Sequence, residues 1–278
     1  MALISIILGI LIDRHWDGLK QWQRFDWFTR FNQWLLEKTS SHLHNPTLKF
    51  LALLALPVFA TMLVQQMTDD WLSPFAFLFA LLVFVYCLGS LDIEQTLESL
   101  IKAITDNDEV NRNALFEEIT GESSAADDET MIDDVMQASM NTIIERLFGV
   151  VFWFAILGPV GAVLYRFSQQ LFNQYETDPV LGKSAERMLE LLNWIPTRFL
   201  SISFGITGHF EGALAAYKEN KETDRTQRYL LIDICHGALE GNQREEKAAY
   251  LTAFRGLILR SLIVWISSIA LLTLLGWS

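Results

Sequence analysis

The sequence predicts an all-α, polytopic membrane protein with about five transmembrane helices and cytoplasmic helical loops, and three observations carry that prediction. Hydrophobic residues make up 51% of the 278 and charged residues only 19%, whereas a soluble domain carries about 25% charge. The apolar residues are bunched into long blocks separated by charged segments, the distribution bilayer spans impose, and mean hydropathy is +0.25. Elsewhere apolar residues recur at three- and four-residue intervals, with no sustained strand-like alternation and no fixed-period repeat.

Residues 1–47 read as an N-terminal interfacial amphipathic region. Ala2–Ile12 is too short to cross, at about 16 Å of helix against ~30 Å of hydrocarbon. It also lacks a basic leader and a small-residue cleavage site, so it reads as an interfacial or re-entrant helix rather than a secretory signal. Trp16, Trp22, Phe25, Trp27, Phe28, Phe31 and Trp34 then alternate with Lys20, Arg24 and Arg30, a mixture suited to the headgroup level. Residues 48–91 form a transmembrane hairpin of Leu48–Val64, interrupted by Pro57, and Leu72–Leu91.

Residues 92–146 form an acidic cytoplasmic helical segment. Leu91, Leu97, Leu100, Ile101 and Ile104 give it an apolar face, and Gly121–Thr130 reads as a loop or interruption. Residues 147–217 hold two more spans. Leu147–Phe167 contains Gly158, Pro159 and Gly161, read as a kink or close packing. Asn193–Tyr217 is long enough but carries Arg198, His209 and Glu211, all costly at membrane depth. Charge bias decides in favour of crossing: five spans leave fifteen Lys and Arg on one side against two on the other, the cytoplasmic side being the richer. Residues 218–256 are a cytoplasmic helical loop with Tyr229, Ile232, Cys235, His236 and Leu239 on one face, and 257–278 a C-terminal transmembrane helix.

Net charge is −12, and Asp106–Asp134 supplies −10 of it, with Arg112 its single cation. That balance excludes nucleic acid as a partner, since nothing neutralises phosphates. Cys87 and Cys235 lie in an apolar and a charged block, and read as reduced thiols. Phosphate-binding, nucleophile-elbow and Cys-x-x-Cys signatures are absent. The acids lack an EF-hand pattern, and His42 and His44 lack further zinc ligands nearby. No catalytic residue, metal ligand or cofactor is assigned.

The stretch Phe152, Trp153, Gly158–Arg166, with Asn193, Trp194, Ile195, Pro196, Thr197 and Arg198, resembles the CobD/CbiB cobalamin-biosynthesis membrane proteins. With Gly208, His209, Phe210, Glu211, Gly212, Ala213 and Leu214 it is more similar to their AmpE relatives. The AmpE resemblance implies a multi-pass protein of the bacterial inner membrane, linked as a regulatory or sensory component to β-lactamase induction. The CobD/CbiB resemblance implies an alternative, amide-bond formation with ATP and Mg²⁺. Its Glu-Asn-Thr motif falls on Met140, Asn141 and Thr142, however, and a thioether neither ligates Mg²⁺ nor moves a proton. A small-anion transporter is a second alternative.

Arg146, Tyr165, Arg166, Asn193, Arg198, His209 and Glu211 are the candidate ligand-binding residues. Guanidinium suits a phosphate or carboxylate, so the pocket reading is a small anion, with the lipid bilayer as the other partner. Arg146 and Arg166 also fit snorkelling from span ends. His209 and Glu211, two apart, do not share a helix face.

Overall fold

The computed structural model describes residues 2–15, 25–39, 46–71, 73–89, 92–123, 128–179, 181–220, 227–242 and 246–276. Every regular element among them is helical: α1 (Ala2–His15), α2 (Asp26–Thr39), α3 (Pro46–Trp71), α4 (Ser73–Leu88), α5 (Asp92–Thr105), α6 (Glu109–Thr120), α7 (Asp128–Ile143), α8 (Gly149–Leu157), α9 (Pro159–Tyr175), α10 (Leu181–Thr207), α11 (Phe210–Asn220), α12 (Gln227–Ala238) and α13 (Lys247–Leu274), with a π-helical turn, Ile144–Phe148, between α7 and α8. Trp16, Lys20, Trp22, Arg24, His42 and His44 lie outside the described residues.

Among the described residues three helical runs are long and apolar enough to cross a membrane, Leu48–Thr68, Thr130–Leu157 and Lys247–Leu274, and a fourth results if α4 and α5 are counted as one broken span. The second run starts inside the segment assigned to the cytoplasm from sequence. The chain divides into two compact units, one of residues 1–90, 145–193 and 272–278, the other of 91–144 and 194–271.

In the first unit, α4 packs on α1, α8 and α9, and α3 packs on α9. Phe84, Leu88, Val150, Val151 and Phe154 are buried between them, while α3 turns Leu51, Leu56, Phe59, Leu63 and Met67 outward. An apolar outer surface on this scale suits hydrocarbon. Phe25 and Phe28 are buried and meet the Phe167 ring edge-on at 5.6 and 4.4 Å. That half of the aromatic belt therefore faces the protein, while Trp27 and Trp34 are half-exposed.

The block Leu147–Phe167 differs most from a kinked rod. Gly158 adopts φ 65° and ψ −150°, a combination side chains exclude. Pro159 follows at the first position of α9, where its missing N–H costs nothing. The chain reverses there, and α8 and α9 lie antiparallel. Gly149 sits against the Tyr165 ring and Gly161 against the Trp153 carbonyl, each so close that a Cβ would overlap its neighbour. Both ends of the block therefore emerge together.

The second unit buries Leu97, Leu100, Phe116, Val135, Met136, Leu231 and Ile234. Asp108 caps α6 by accepting from the Asn111 amide at 3.1 Å, and Gly121, at φ 78°, ends it. Of the loop expected over Gly121–Thr130, residues 121–123 follow that stop, residues 124–127 lie outside the described residues, and Asp128–Thr130 already belong to α7. Asn193–Tyr217 is not one helix: α10 runs through Pro196 to Thr207, and α11 begins at Phe210. At this break His209 N–H donates to the Ala238 carbonyl at 2.8 Å.

Candidate functional site

The reversal at Gly158 brings residues twenty apart in sequence onto facing helices of the first unit. Arg166 on α9 is 5% exposed. Its Nη1 donates to Gln169 Oε1 one turn on, and Gln169 Nε2 donates to Glu145 Oε2 on the π-helical turn. A single buried amide thus joins a guanidinium to a carboxylate. π-Helical turns insert an extra residue and recur at functional sites, and this one carries both Glu145 and Arg146.

The Arg166 guanidinium lies 5.2 Å from the centre of the Phe25 ring. Gly89, at φ 72°, leaves the space its Nη2 fills: a Cβ there would come within 2.9 Å of Nη2 and 3.8 Å of Arg146 Cδ. Arg166 Nε has no hydrogen-bond partner among the described residues although it is fully buried. A buried donor without an acceptor is costly.

Tyr165, on the adjacent position of α9, is fully buried and its Oη donates to Asn193 Oδ1 on α10 at 2.7 Å. Beside it, Trp153 Nε1 donates to the Leu192 carbonyl at 3.0 Å. That carbonyl would ordinarily accept from residue 196, but Pro196 has no N–H. The indole supplies the missing donor, which gives the Phe-Trp and Trp-Ile-Pro motifs a joint structural meaning. Of the seven residues proposed from sequence, Arg146, Tyr165, Arg166 and Asn193 fall in this region.

The other three belong to the second unit. Arg198 stacks over Trp194, four residues earlier on α10, at 4.1 Å from the ring centre. His209 caps α11: its Nδ1 accepts from the Gly212 N–H at 3.1 Å. The same nitrogen lies 3.1 Å from Glu240 Oε2. One nitrogen cannot accept and donate at once, so these contacts belong to different protonation states. Glu211 is exposed in the first turn of α11, where the helix dipole favours a carboxylate. Gly212 and Gly237 let the α11 and α12 backbones touch, so the Gly-His-x-Glu-Gly run has a packing role here.

Sequence reasoning missed Glu145 and Gln169 as members of the network. The three-residue spacing of Arg166 and Gln169, neighbours on one helix face, was the signal that could have found the second. Mg²⁺, which the CobD/CbiB resemblance implies, meets no carboxylate at the matching positions Met140, Asn141 and Thr142. Met140 is 1% exposed within the core, and the Thr142 hydroxyl donates to Ala138 O of its own helix at 3.0 Å. Hard cations want hard oxygen, which a buried thioether does not supply.

A family model described as "Regulatory signalling modulator protein AmpE" matches residues 1–277. The cobalamin biosynthesis protein CobD of Chromobacterium violaceum is 25% identical over 127 residues, 44% of this chain and 41% of that protein. CobD of Stutzerimonas stutzeri is 25% identical over 104 residues, 36% and 34% of the two chains. The match thus spans well under half of either CobD protein. Protein AmpE of Shigella flexneri is 23% identical over 207 residues, 70% of this chain and 73% of its own. No solved structure matches.

Proposed function

Since the chain belongs to the AmpE family, we propose that it is a regulatory, sensory component of the bacterial inner membrane, tied to β-lactamase induction and the response to cell-wall antibiotics. The observation that carries this reading is the extent of the match, residues 1–277, against 41% and 34% of the two CobD relatives. Deleting the gene in its native host and measuring β-lactamase after exposure to an inducing antibiotic tests it. Loss of normal induction, restored by the wild-type gene, is the expected result; unchanged induction overturns it.

In this reading the chain is multi-pass, and the reversal at Gly158 shapes its layout. With α8 and α9 as a returning hairpin, the apolar run Thr130–Leu157 dips into the membrane with its α8 end alone and does not cross; α3, the apolar block Leu72–Leu91 that holds α4, and α13 cross, and residues 13–47, 92–146 and 168–256 share the cytoplasmic side. Every Lys and Arg outside the apolar blocks then lies there, and Gln65–Trp71 on the other face has none, the bias membrane proteins follow. Labelling with a membrane-impermeant thiol reagent tests this layout. Cysteines at Glu109, Thr177 and Lys218 react from one face and a cysteine at Met67 from the other; Thr177 reacting with Met67 contradicts it.

The Arg166 network is the sensory element we assign. Arg146 and Arg166 outnumber Glu145 by one charge, and the orphaned Nε gives a monovalent carboxylate or phosphate ester a donor to meet. Its binding is read through the Glu145–Gln169 bridge by the π-helical turn that continues into α7.

A further inference from the structure

At the break between α10 and α11, in the second unit, one histidine ring stands between two partners. The Ala213 N–H reaches back to the His209 carbonyl at 3.1 Å, so His209 opens α11, and the amides ahead of Ala213 need acceptors from outside the helix ladder. The ring supplies one: its Nδ1 accepts from the Gly212 N–H at 3.1 Å, as a side-chain cap does at a helix start. Glu240 Oε2 lies 3.1 Å from the same nitrogen.

The backbone around the ring is held in place. His209 N–H donates to the Ala238 carbonyl at 2.8 Å, and Glu240 N–H to the Gly237 carbonyl at 3.2 Å. Gly212 abuts the Glu240 carboxylate and the Gly237 carbonyl so closely that a Cβ would overlap both. Both partners are already within reach, so a proton on Nδ1 decides between them. Bare, the nitrogen accepts from Gly212. Protonated, it only donates: the Gly212 N–H loses its acceptor, and Glu240 gains a charged donor.

The His209 and Glu240 side chains are 47% and 63% exposed, so protons reach both. Glu240 and Glu211, the latter exposed in the first turn of α11, favour the imidazolium, and the positive end of α11 opposes it. Lys218 and Glu219 lie at the far end of α11. From α13 comes Leu257, against Gly208, and α10 ends in the uncharged run Phe204–Thr207. On α12, His236 is engaged with the Tyr250 hydroxyl at 2.8 Å and with Asp133 at 3.4 Å.

We propose that His209 is a proton-operated latch: neutral, it holds the first turn of α11 through Gly212; protonated, it releases that turn and fastens the end of α12 through Glu240. Imidazole is the side chain suited to this, since it changes charge between about pH 5 and 8.

Nuclear magnetic resonance of the full-length protein in detergent micelles, with nitrogen-15 at histidine and glycine, tests it between about pH 8 and 5. The His209 ring is the Nε2–H tautomer at the alkaline end, and it gains its second proton with the same midpoint at which the Gly212 amide shifts. Water–amide exchange at Gly212, corrected for its intrinsic rate, is about fivefold faster below the transition, the ratio a typical cap contributes. Glu240→Gln moves the transition to lower pH by about half a unit, the worth of an exposed ion pair. His209→Asn, a cap that does not titrate, keeps Gly212 protected throughout. A Gly212 amide indifferent to the titration of the ring, a transition that Glu240→Gln leaves in place, or one that survives in His209→Asn overturns the latch. Should either variant fail to fold, judged by its circular dichroism, joint titration of the ring and the Gly212 amide in the wild-type protein decides alone.

Discussion

Replacing Gln169 by Leu is the sharpest perturbation of the buried network. Gln169 is 3% exposed, and its one amide accepts from Arg166 while donating to Glu145. Each hydrogen bond to a charged partner is worth about 1.5–3 kcal/mol. Leucine recovers about 1 kcal/mol by burying apolar atoms where the amide was. The net cost is then about 3 kcal/mol, a large share of the ~5–15 kcal/mol that keeps a domain folded. At about 2–4 °C per kcal/mol for a chain this size, the melting midpoint falls by roughly 6–12 °C. Tryptophan fluorescence of the purified protein during thermal or denaturant unfolding measures it, because Trp153 is anchored beside the network. Adding Arg166→Met removes the charge that the first change stranded, so the double variant recovers roughly 2 kcal/mol of the loss. A Gln169→Leu cost below about 0.5 kcal/mol, or single and double changes that add within about 0.5 kcal/mol, refutes the coupled network.

Gly158→Ala forces a side chain into φ 65° and ψ −150°, a cost of about 1–3 kcal/mol that denaturant unfolding will register. Gly161→Val meets the Trp153 carbonyl and lowers the yield of folded protein far more than Val163→Ala does. Arg198→Ala removes only a half-exposed stacking contact and costs about 0.5–1 kcal/mol in the same unfolding assay, several-fold less than Arg166→Ala. The Asp108 carboxyl is held below its ordinary value, first by the Asn111 backbone amide and then by the Asn111 side chain. Its support of α6 is therefore present above the ordinary carboxylate range and lost as the pH falls through the depressed value. Amide exchange at Asn111, corrected for intrinsic rates, accelerates below about pH 4, and Asp108→Ala abolishes that dependence.

The helices and their apolar faces were legible because periodicity and block length report burial directly: Leu97 and Leu100, read as one face of a helix, are both buried in α5. The reversal at Gly158 was not. A Gly-Pro pair marks a break, but whether the chain bends or returns depends on ψ, which no hydropathy pattern encodes. Recognising Pro159 as a helix start was the available clue. The network followed the same limit, since Glu145 and Gln169 meet only once the chain has turned back. Arg198 shows the converse: an arginine amid apolar residues looked like a pocket wall, yet Trp194 four residues earlier offered it a face along its own helix.

The buried network can exist only if α9 returns antiparallel along α8. A straight helix would set residues 145 and 169 about 36 Å apart, whereas here their side chains are hydrogen-bonded. The measurement is intramolecular cross-linking of Glu145→Cys, Gln169→Cys in native membranes with a short bifunctional thiol reagent, Cys87 and Cys235 having been replaced by Ala. Linked peptides from the two positions, identified by mass spectrometry, are the expected result. Two thiols that each react with a monofunctional reagent but never join would contradict it.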